Sequence, residues 1–259
     1  MRCIFCKSDS STSKTIEHII PESLGNVEHI LPRGVVCDSC NNYFAREIEK
    51  PVLESTYFVQ ARFNNYVGNK RGVIPSINAL HLGSMTNVIL NEKNTSLYFS
   101  ARDEKDNDKL FKNIHNGKKG TLIYPEGEEP NKYLMSRFLG KVALEALVYR
   151  ALDVEGWIDE IVNKEDLDLV RDYVRRGHRK LIWPFHKRVI YEESGRFEDK
   201  EFGKYQMLHE FTFEFTTEGE LFFIVAIFGV EYALNLGEPD ISGYIKWLSE
   251  NSNKSPLYP

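Results

Sequence analysis

Beyond residue 40 the chain contains no cysteine. Its 259 residues carry four, Cys3, Cys6, Cys37 and Cys40. A disulfide framework spread through the fold is therefore excluded, and with it the disulfide-dense architecture of small secreted domains. Long hydrophobic runs are missing as well. The longest, Leu221 to Val230, covers ten residues, about half of a membrane span. The N-terminus, MRCIFCKSDSSTSK, lacks the apolar segment that directs secretion. A cytoplasmic protein with reduced thiols and no membrane partner is expected. An excess of basic residues is absent too. With 33 Lys and Arg against 38 Asp and Glu, the net charge is −5, which argues against a global positive field of the kind that binds nucleic acid in bulk. Repeats and low-complexity tracts are also lacking. What remains is an ordinary globular composition, and 16 Phe and 13 Tyr supply a core without cross-links.

The pattern of apolar residues predicts an α+β chain. Short strands are expected at Thr15–Ile20 and at Gly34–Val36, followed by a helix from Asn42 to about Glu49 that Pro51 would end. Strands are predicted at Asn87–Leu90 and Ser96–Ala101 around a polar turn at Asn91–Thr95, and at Thr121–Tyr124. The charged stretch Asp103–Asp108 reads as a loop. Leu134, Phe138, Val142 and Leu147, widened by Leu139, Ala143 and Ala146, mark a long helix over Lys132–Leu152. A second helix is expected over Glu165–Arg176, capped by Asn163 and closed by Gly177. Then come a strand at Lys187–Glu192, a hairpin joining Leu208–Thr216 to Leu221–Val230, a strand at Tyr232–Leu236 and a closing helix at Ile241–Glu250. Phe211, Phe213, Phe215, Phe222 and Phe223 are read as core.

The four cysteines form two Cys-x-x-Cys pairs, separated by the 30 residues Lys7 to Val36. Four thiolates in reduced surroundings suit a tetrahedral zinc ion. The spacing exceeds that of a simple ribbon, so the metal is expected to clamp a folded insert. A redox pair is the rival, but it would need only one such motif.

Glu17-His18 stands within the insert, and Asn41 directly follows the last cysteine. The order Cys3-x-x-Cys6, Glu17-His18-Ile-Ile-Pro21, Cys37-x-x-Cys40-Asn41 resembles the HNH endonuclease family, also called ββα-metal or His-Me finger nucleases, and within it the zinc-stapled branch. The resemblance covers residues 1–55. It implies a zinc-stabilised ββα-metal module over residues 1–70, followed by an α+β accessory domain over 71–259 with an antiparallel sheet and a long helix. The accessory domain would serve substrate positioning, dimerisation or regulation by a partner protein.

By the same resemblance His18 is the general base that activates water against a phosphodiester. An imidazole suits that task, since its ordinary pKa of about 6.5 leaves it neutral at cellular pH. Glu17 and Asn41 would hold one Mg²⁺ or Mn²⁺ through oxygen, beside the structural Zn²⁺. DNA is the implied substrate, with RNA as the alternative, and restriction or antiphage defence is a setting in which such proteins occur. Three departures stand out. Glu17 replaces the commoner Asp, and adjacent residues on a regular strand face opposite ways. The middle Asn of the motif is not evident before Cys37, which leaves Asn26 or a backbone carbonyl to orient the histidine. The reading from a different class is a non-catalytic zinc module that docks onto nucleic acid or a partner.

Arg46 and Lys50, four apart on the helix after Asn41, and Arg33 are candidates for phosphate contact; pairing with Glu47 and Glu49 is the plainer alternative. Glu28-His29 has no assigned role. Residues Arg171 to Arg188 carry Arg171, Arg175, Arg176, Arg179, Lys180, Lys187 and Arg188 against one acid, Asp172. His178, Trp183, Phe185 and His186 are interleaved. This segment either tracks a phosphate backbone, binds an acidic partner, or is a solvated helix end.

Overall fold

The computed structural model of the chain describes residues 1–93, 96–117, 120–177, 181–193, 195–199 and 203–258. Helices and antiparallel sheets mix in an α+β architecture. Contacts divide the chain into two compact units, Met1–Val52 with Pro130–Pro259, and Leu53–Glu129. These bounds differ from a cut at residue 70. Composition cannot see that the N-terminal segment finds its packing partners more than a hundred residues away.

The N-terminal segment is a small ribbon followed by a helix. Strand β1 (Glu17–His18) pairs antiparallel with β2 (Ile30–Leu31), with Glu17 opposite Leu31 and His18 opposite Ile30. The second strand therefore precedes Pro32 and does not lie at Gly34–Val36. Val35 and Val36 are buried in a turn, so their apolar character reflects packing, not pairing. Between the strands, a short 3₁₀ turn at Glu22–Leu24 ends on Gly25, whose φ is +92°. A Cβ there would come within 2.6 Å of Leu208, so both conformation and space require glycine.

Helix α1 (Asp38–Phe44) starts four residues before the expected Asn42. Cys37 caps the early start, its sulfur accepting from the Cys40 N–H at 3.4 Å, and the Asp38 carboxylate ties the first turn to the backbone N–H groups of Lys14 and Thr15, both at 3.0 Å, and to the Thr15 hydroxyl at 2.7 Å. The helix widens into a π-helical turn at Ala45–Glu49 and continues as α2 (Lys50–Leu53). Pro51 does not end it; it stands two residues after the π-helical turn, inside a helix that runs on to Leu53.

The second unit holds α3 (Thr56–Asn64), β3 (Ile77–His81), β4 (Thr86–Lys93), β5 (Ser96–Ala101), α4 (Asn107–His115) and β6 (Leu122–Ile123). Its sheet runs β5-β4-β3-β6, antiparallel throughout. Phe63 of α3 and Leu110 of α4 close a core with Ile77, Ala79, Val88, Leu90 and Ala101. Three strands were legible, whereas α3, β3 and α4 were not. Asp103–Asp108 leads into α4 instead of forming a loop, with the Asp103 side chain accepting from the Lys105 backbone N–H. Asn91–Lys93 extend β4, and the rest of the expected turn, Asn94 and Thr95, lies outside the described residues.

Back in the first unit, α5 (Lys132–Arg150) matches its expected span, with the Asn131 side chain accepting from Tyr133 N–H at 2.8 Å. Helix α6 (Trp157–Asn163) was not anticipated, so Asn163 ends α6 and does not cap α7 (Asp168–Arg176). The strands β7 (Phe185–Val189), β8 (Phe197–Asp199), β9 (Gly203–Tyr205), β10 (His209–Phe215), β11 (Leu221–Ile227) and β12 (Val230–Asn235) follow, then α8 (Ser242–Glu250). The main sheet is β10-β11-β12-β7, and β8 pairs with β9. On one face, Phe222 and Ile224 pack on Tyr244 and Leu248 of α8, while α5 packs on β12. Phe211, Phe222 and Phe223 are core, but Phe215 at the strand end is exposed.

Helix α5 is buried from Met135 to Ala146 without a break. A helix apolar on all sides would be unremarkable there, yet Arg137, Lys141 and Glu145 lie within it at successive i, i+4 steps. Arg171 of α7 is equally enclosed, at 2% exposure. It donates to the carbonyls of Ile4 and Lys164, both at 2.8 Å, to that of Ile161, and to the Asp168 carboxylate at 2.7 Å. Arg171→Ala strands three carbonyls, each costing about 1–3 kcal/mol when buried and unmet. The expected loss is at least about 3 kcal/mol in urea unfolding, and Arg171→Lys should recover only part, since an ammonium cannot span those acceptors.

Candidate zinc and nuclease site

The two Cys-x-x-Cys turns converge. The four sulfurs of Cys3, Cys6, Cys37 and Cys40 lie within 4.8 Å of one another, and Cys6 Sγ is 3.7 Å from Cys37 Sγ. Thiolates about 2.3 Å from a zinc ion stand roughly 3.8 Å apart in a tetrahedron, so the arrangement fits that metal. Backbone N–H groups already point at the sulfurs. Cys37 N–H donates to Cys3 Sγ and Cys40 N–H to Cys37 Sγ, each at 3.4 Å. The hydrogen bond from Cys40 pulls the Cys3 thiol well below its usual range, helped by backbone donors, and the same contact pushes Cys40 up. A lowered thiol pKa favours the thiolate, the form a metal requires.

Aromatic packing backs the knuckle, with Phe5 and Phe44 edge to face at 4.5 Å. Helix α7 flanks it as well. Burial draws the Arg175 pKa down, but the sulfurs of Cys40, Cys6 and Cys3 outweigh that and hold it above its ordinary value. A tetrathiolate zinc centre is a net anion, and Arg175 is placed to compensate it. Lys7 of the first turn meets Asp168 of α7 at 2.5 Å.

Strand β1 presents Glu17 and His18 to opposite sides. Glu17 is 7% exposed, whereas His18 is half-buried with Nε2 at 4.0 Å from Glu22 Oε2. The two side chains do not share one face, as strand alternation requires. Asn41 comes to the same strand from α1, its Nδ2 donating to the Ile16 carbonyl at 3.3 Å, which leaves the amide oxygen as its acceptor side. Glu17 and Asn41 each carry an oxygen of the kind that a hard divalent cation prefers.

Asn26 is fully buried, and all its polar atoms are engaged with backbone. Its Nδ2 donates to the Ile20 and His29 carbonyls at 2.7 and 3.0 Å, and its Oδ1 accepts from the N–H groups of Glu28 and His29 at 3.1 and 2.9 Å. It staples the loop that joins β1 to β2, and so fixes the segment that carries His18.

Sequence reasoning passed over the residues behind Glu17. Lys141 of α5 is wholly buried, with its Nζ 2.6 Å from Glu17, 2.7 Å from Glu49 and 2.8 Å from Glu145. Burial would drive Lys141 toward its neutral form, but the three carboxylates reverse that and hold its pKa well above the usual range. Glu145, also wholly buried, is pushed upward by burial against the pull of Lys141. Arg137, one turn earlier, donates to the Tyr43 hydroxyl at 2.7 Å and to the Val174 carbonyl at 2.7 Å. The available signal was a charge at every fourth residue inside an otherwise apolar helix.

The candidate phosphate contacts fare unevenly. Arg46 is exposed and pairs with Glu47 at 2.6 Å. Lys50 and Arg33 are exposed as well. The basic segment does not form one surface patch. Arg171 is buried, and Arg188 is bound to the buried Glu231 at 2.6 Å. Trp183 is core, while Arg176 is exposed beside Asp172. His178, Arg179 and Lys180 lie outside the described residues.

A two-stranded ribbon followed by a helix, with four cysteines clustered at its base, defines a ββα module with a site for a structural metal. Residues 3–56 match the HNH endonuclease family, and the N-terminal segment is accordingly an HNH domain with a cysteine cluster. No curated protein and no solved structure matches the chain. Among the described residues no helix is long and apolar enough to cross a membrane.

Purified protein is expected to hold one zinc per chain by metal analysis. Its removal by a strong chelator should unfold the N-terminal segment, seen as new protease cleavage within residues 1–50, because binding energy at such a site is folding energy. Asn26→Ala should lower the unfolding midpoint by an amount equivalent to about 2–4 kcal/mol, since buried backbone groups lose their partners. Its zinc content should not change.

Proposed function

We propose that the HNH domain is a metal-dependent endonuclease that hydrolyses phosphodiester bonds in DNA, with His18 as general base and Glu17 and Asn41 as the oxygen ligands of one Mg²⁺ or Mn²⁺. Restriction or antiphage defence is the setting we infer for it. The observation that carries the reading is the convergence at β1. His18 stands half-buried on β1 and Asn41 is hydrogen-bonded to Ile16, the residue just before that strand, inside a ribbon braced by the cysteine cluster and by Asn26.

Each residue has a definable task. The His18 imidazole takes the proton of the attacking water as its oxygen approaches phosphorus. Glu22 Oε2, 4.0 Å from Nε2, stabilises the imidazolium that results. Asn26 holds the ribbon so that this proton transfer needs no backbone rearrangement. The divalent ion, when bound, supplies Lewis-acid stabilisation of the phosphate and the leaving 3′ oxygen. Pro21 follows the bend at Ile19 and Ile20 and opens the 3₁₀ turn at Glu22–Leu24 that carries Glu22.

The test is incubation of zinc-loaded protein with plasmid, single-stranded DNA and RNA, with and without added Mg²⁺ or Mn²⁺. Cleavage of DNA that requires the added ion is expected. His18→Ala should lower the rate by about 10²–10⁴-fold while zinc content and unfolding midpoint stay at wild-type values. Wild-type-like cleavage by that variant would overturn the mechanism. Zinc-loaded protein that binds DNA but leaves every substrate intact would favour the non-catalytic docking module instead.

A further inference from the structure

We propose that Lys141 is a positioning residue for the nuclease site, an ammonium supplied by the accessory helix α5 that holds the Glu17 carboxylate for its metal. The proposal rests on the assignment of Glu17 as a ligand and extends it to a residue far outside the segment that matches the nuclease family.

The geometry is specific. An ammonium has three N–H donors, and three carboxylates stand around this one, Glu17 from β1, Glu49 from the π-helical turn and Glu145 from α5 itself, at 2.6, 2.7 and 2.8 Å. It donates hydrogen bonds to Glu17 and Glu145 and forms an ion pair with Glu49, so its position is set from three elements at once. Glu17 meets it through Oε1. An ammonium that fixes one oxygen of a carboxylate sets the orientation of the whole group, and with it the direction in which the group can serve as a ligand. Metal-binding carboxylates are commonly fixed in this way by a hydrogen-bonding partner, whose loss costs about 10–100-fold in metal affinity or activity.

The arrangement also accounts for two features that otherwise stand alone. A π-helical turn inserts an extra residue into a helical turn and is found often at functional sites. Here it ends on Glu49, directly after the buried Ile48, and so brings a carboxylate inward beside a core residue. The second feature is the presence of Lys141 and Glu145 in a helix stretch with no exposed residue. Apolar residues would fill that space at lower cost. A buried charge set retained in such a place is explained by what it holds.

The experiment uses full-length, zinc-loaded protein. Lys141→Met leaves two buried carboxylates and the half-buried Glu49 without their cation, so Lys141→Met/Glu145→Gln, which removes one acid with the base, and Lys141→Arg, which keeps the charge, accompany it. Zinc content and unfolding midpoint identify folded variants. Mn²⁺ binding is read by the loss of the free-ion resonance signal, and cleavage is measured across a range of Mg²⁺. In Lys141→Met/Glu145→Gln, Mn²⁺ should bind at least about tenfold more weakly, and the Mg²⁺ level for half-maximal cleavage should rise by a similar factor. Lys141→Arg should restore part of both.

A purely structural role would instead lower the rate evenly at every Mg²⁺ level. That result overturns the proposal, as does a folded Lys141→Met/Glu145→Gln protein that binds Mn²⁺ like the wild type while Glu17→Gln has lost it. If Glu17→Gln itself binds Mn²⁺ normally, the ligand assignment fails first, and the two failures are told apart.

Discussion

A single ammonium with no access to water organises the junction between the HNH domain and the rest of its unit. Lys141 cannot lie in that interior unless carboxylates surround it, and the carboxylates cannot lie there without it. Because the three acids come from β1, from the π-helical turn and from α5, satisfying the charge fixes three elements relative to one another. Generic apolar packing would permit α5 to slide or rotate by part of a turn, whereas a triply paired lysine does not. The price of such a cluster is stability that well-packed apolar residues would have supplied. What it secures is one register of the helix against the strand.

The same logic recurs along the interface. Arg137 reaches from α5 to Tyr43 of α1 and to the last carbonyls of α7. Arg171 reaches from α7 to the Ile4 carbonyl within the first cysteine turn. Arg175 faces the cysteine sulfurs. Cations from the helices beyond residue 130 therefore complete the polar requirements of the first fifty residues. A two-residue ribbon and one short helix bury too little to fold unaided, so metal and borrowed cations act together. The cysteine cluster closes the loop from within, and α5 and α7 satisfy it from outside. That is why the compact unit joins Met1–Val52 to Pro130–Pro259.

Local chemistry was legible in the sequence and distant pairing was not. The cysteine pairs carry their own spacing rule, and Glu17-His18 with Asn41 carries a recognisable order, so the module could be outlined from residues alone. Long periodic segments such as α5 and the β10–β11 hairpin were equally plain. The failures share a cause. Val35 and Val36 look like a strand because they are apolar, but they are apolar for burial behind the cysteine turns. Pro51 looks like a stop but falls just after the π-helical turn of a helix that runs on to Leu53. The Asp103–Asp108 stretch looks like a loop, yet its acids lead into a helix. In each case a tertiary partner or a cap decided the conformation. Lys141 was hidden differently, since a lysine on a helix is almost always solvated, and only its apolar neighbours on every side betrayed it.

Charge closes the argument. The segment Arg171–Arg188 has the composition of a phosphate-binding strip, yet its buried members serve the protein itself, Arg171 on carbonyls and Arg188 on Glu231. Of the cations considered for phosphate, Arg33, Arg46, Lys50 and Arg176 face solvent, in a protein whose net charge is −5. Counterion release makes affinity for duplex DNA fall with salt at a slope of about 0.9 per phosphate neutralised. Among the described residues, these four set a low ceiling on that slope. On the proposed reading, then, DNA is not gathered by a broad electrostatic field. It is held where a few placed cations and the metal act on one phosphate, so the precision of Glu17 and His18 carries more of the burden than affinity does. A site that depends so heavily on placement is one for which a buried positioning cation is worth its desolvation.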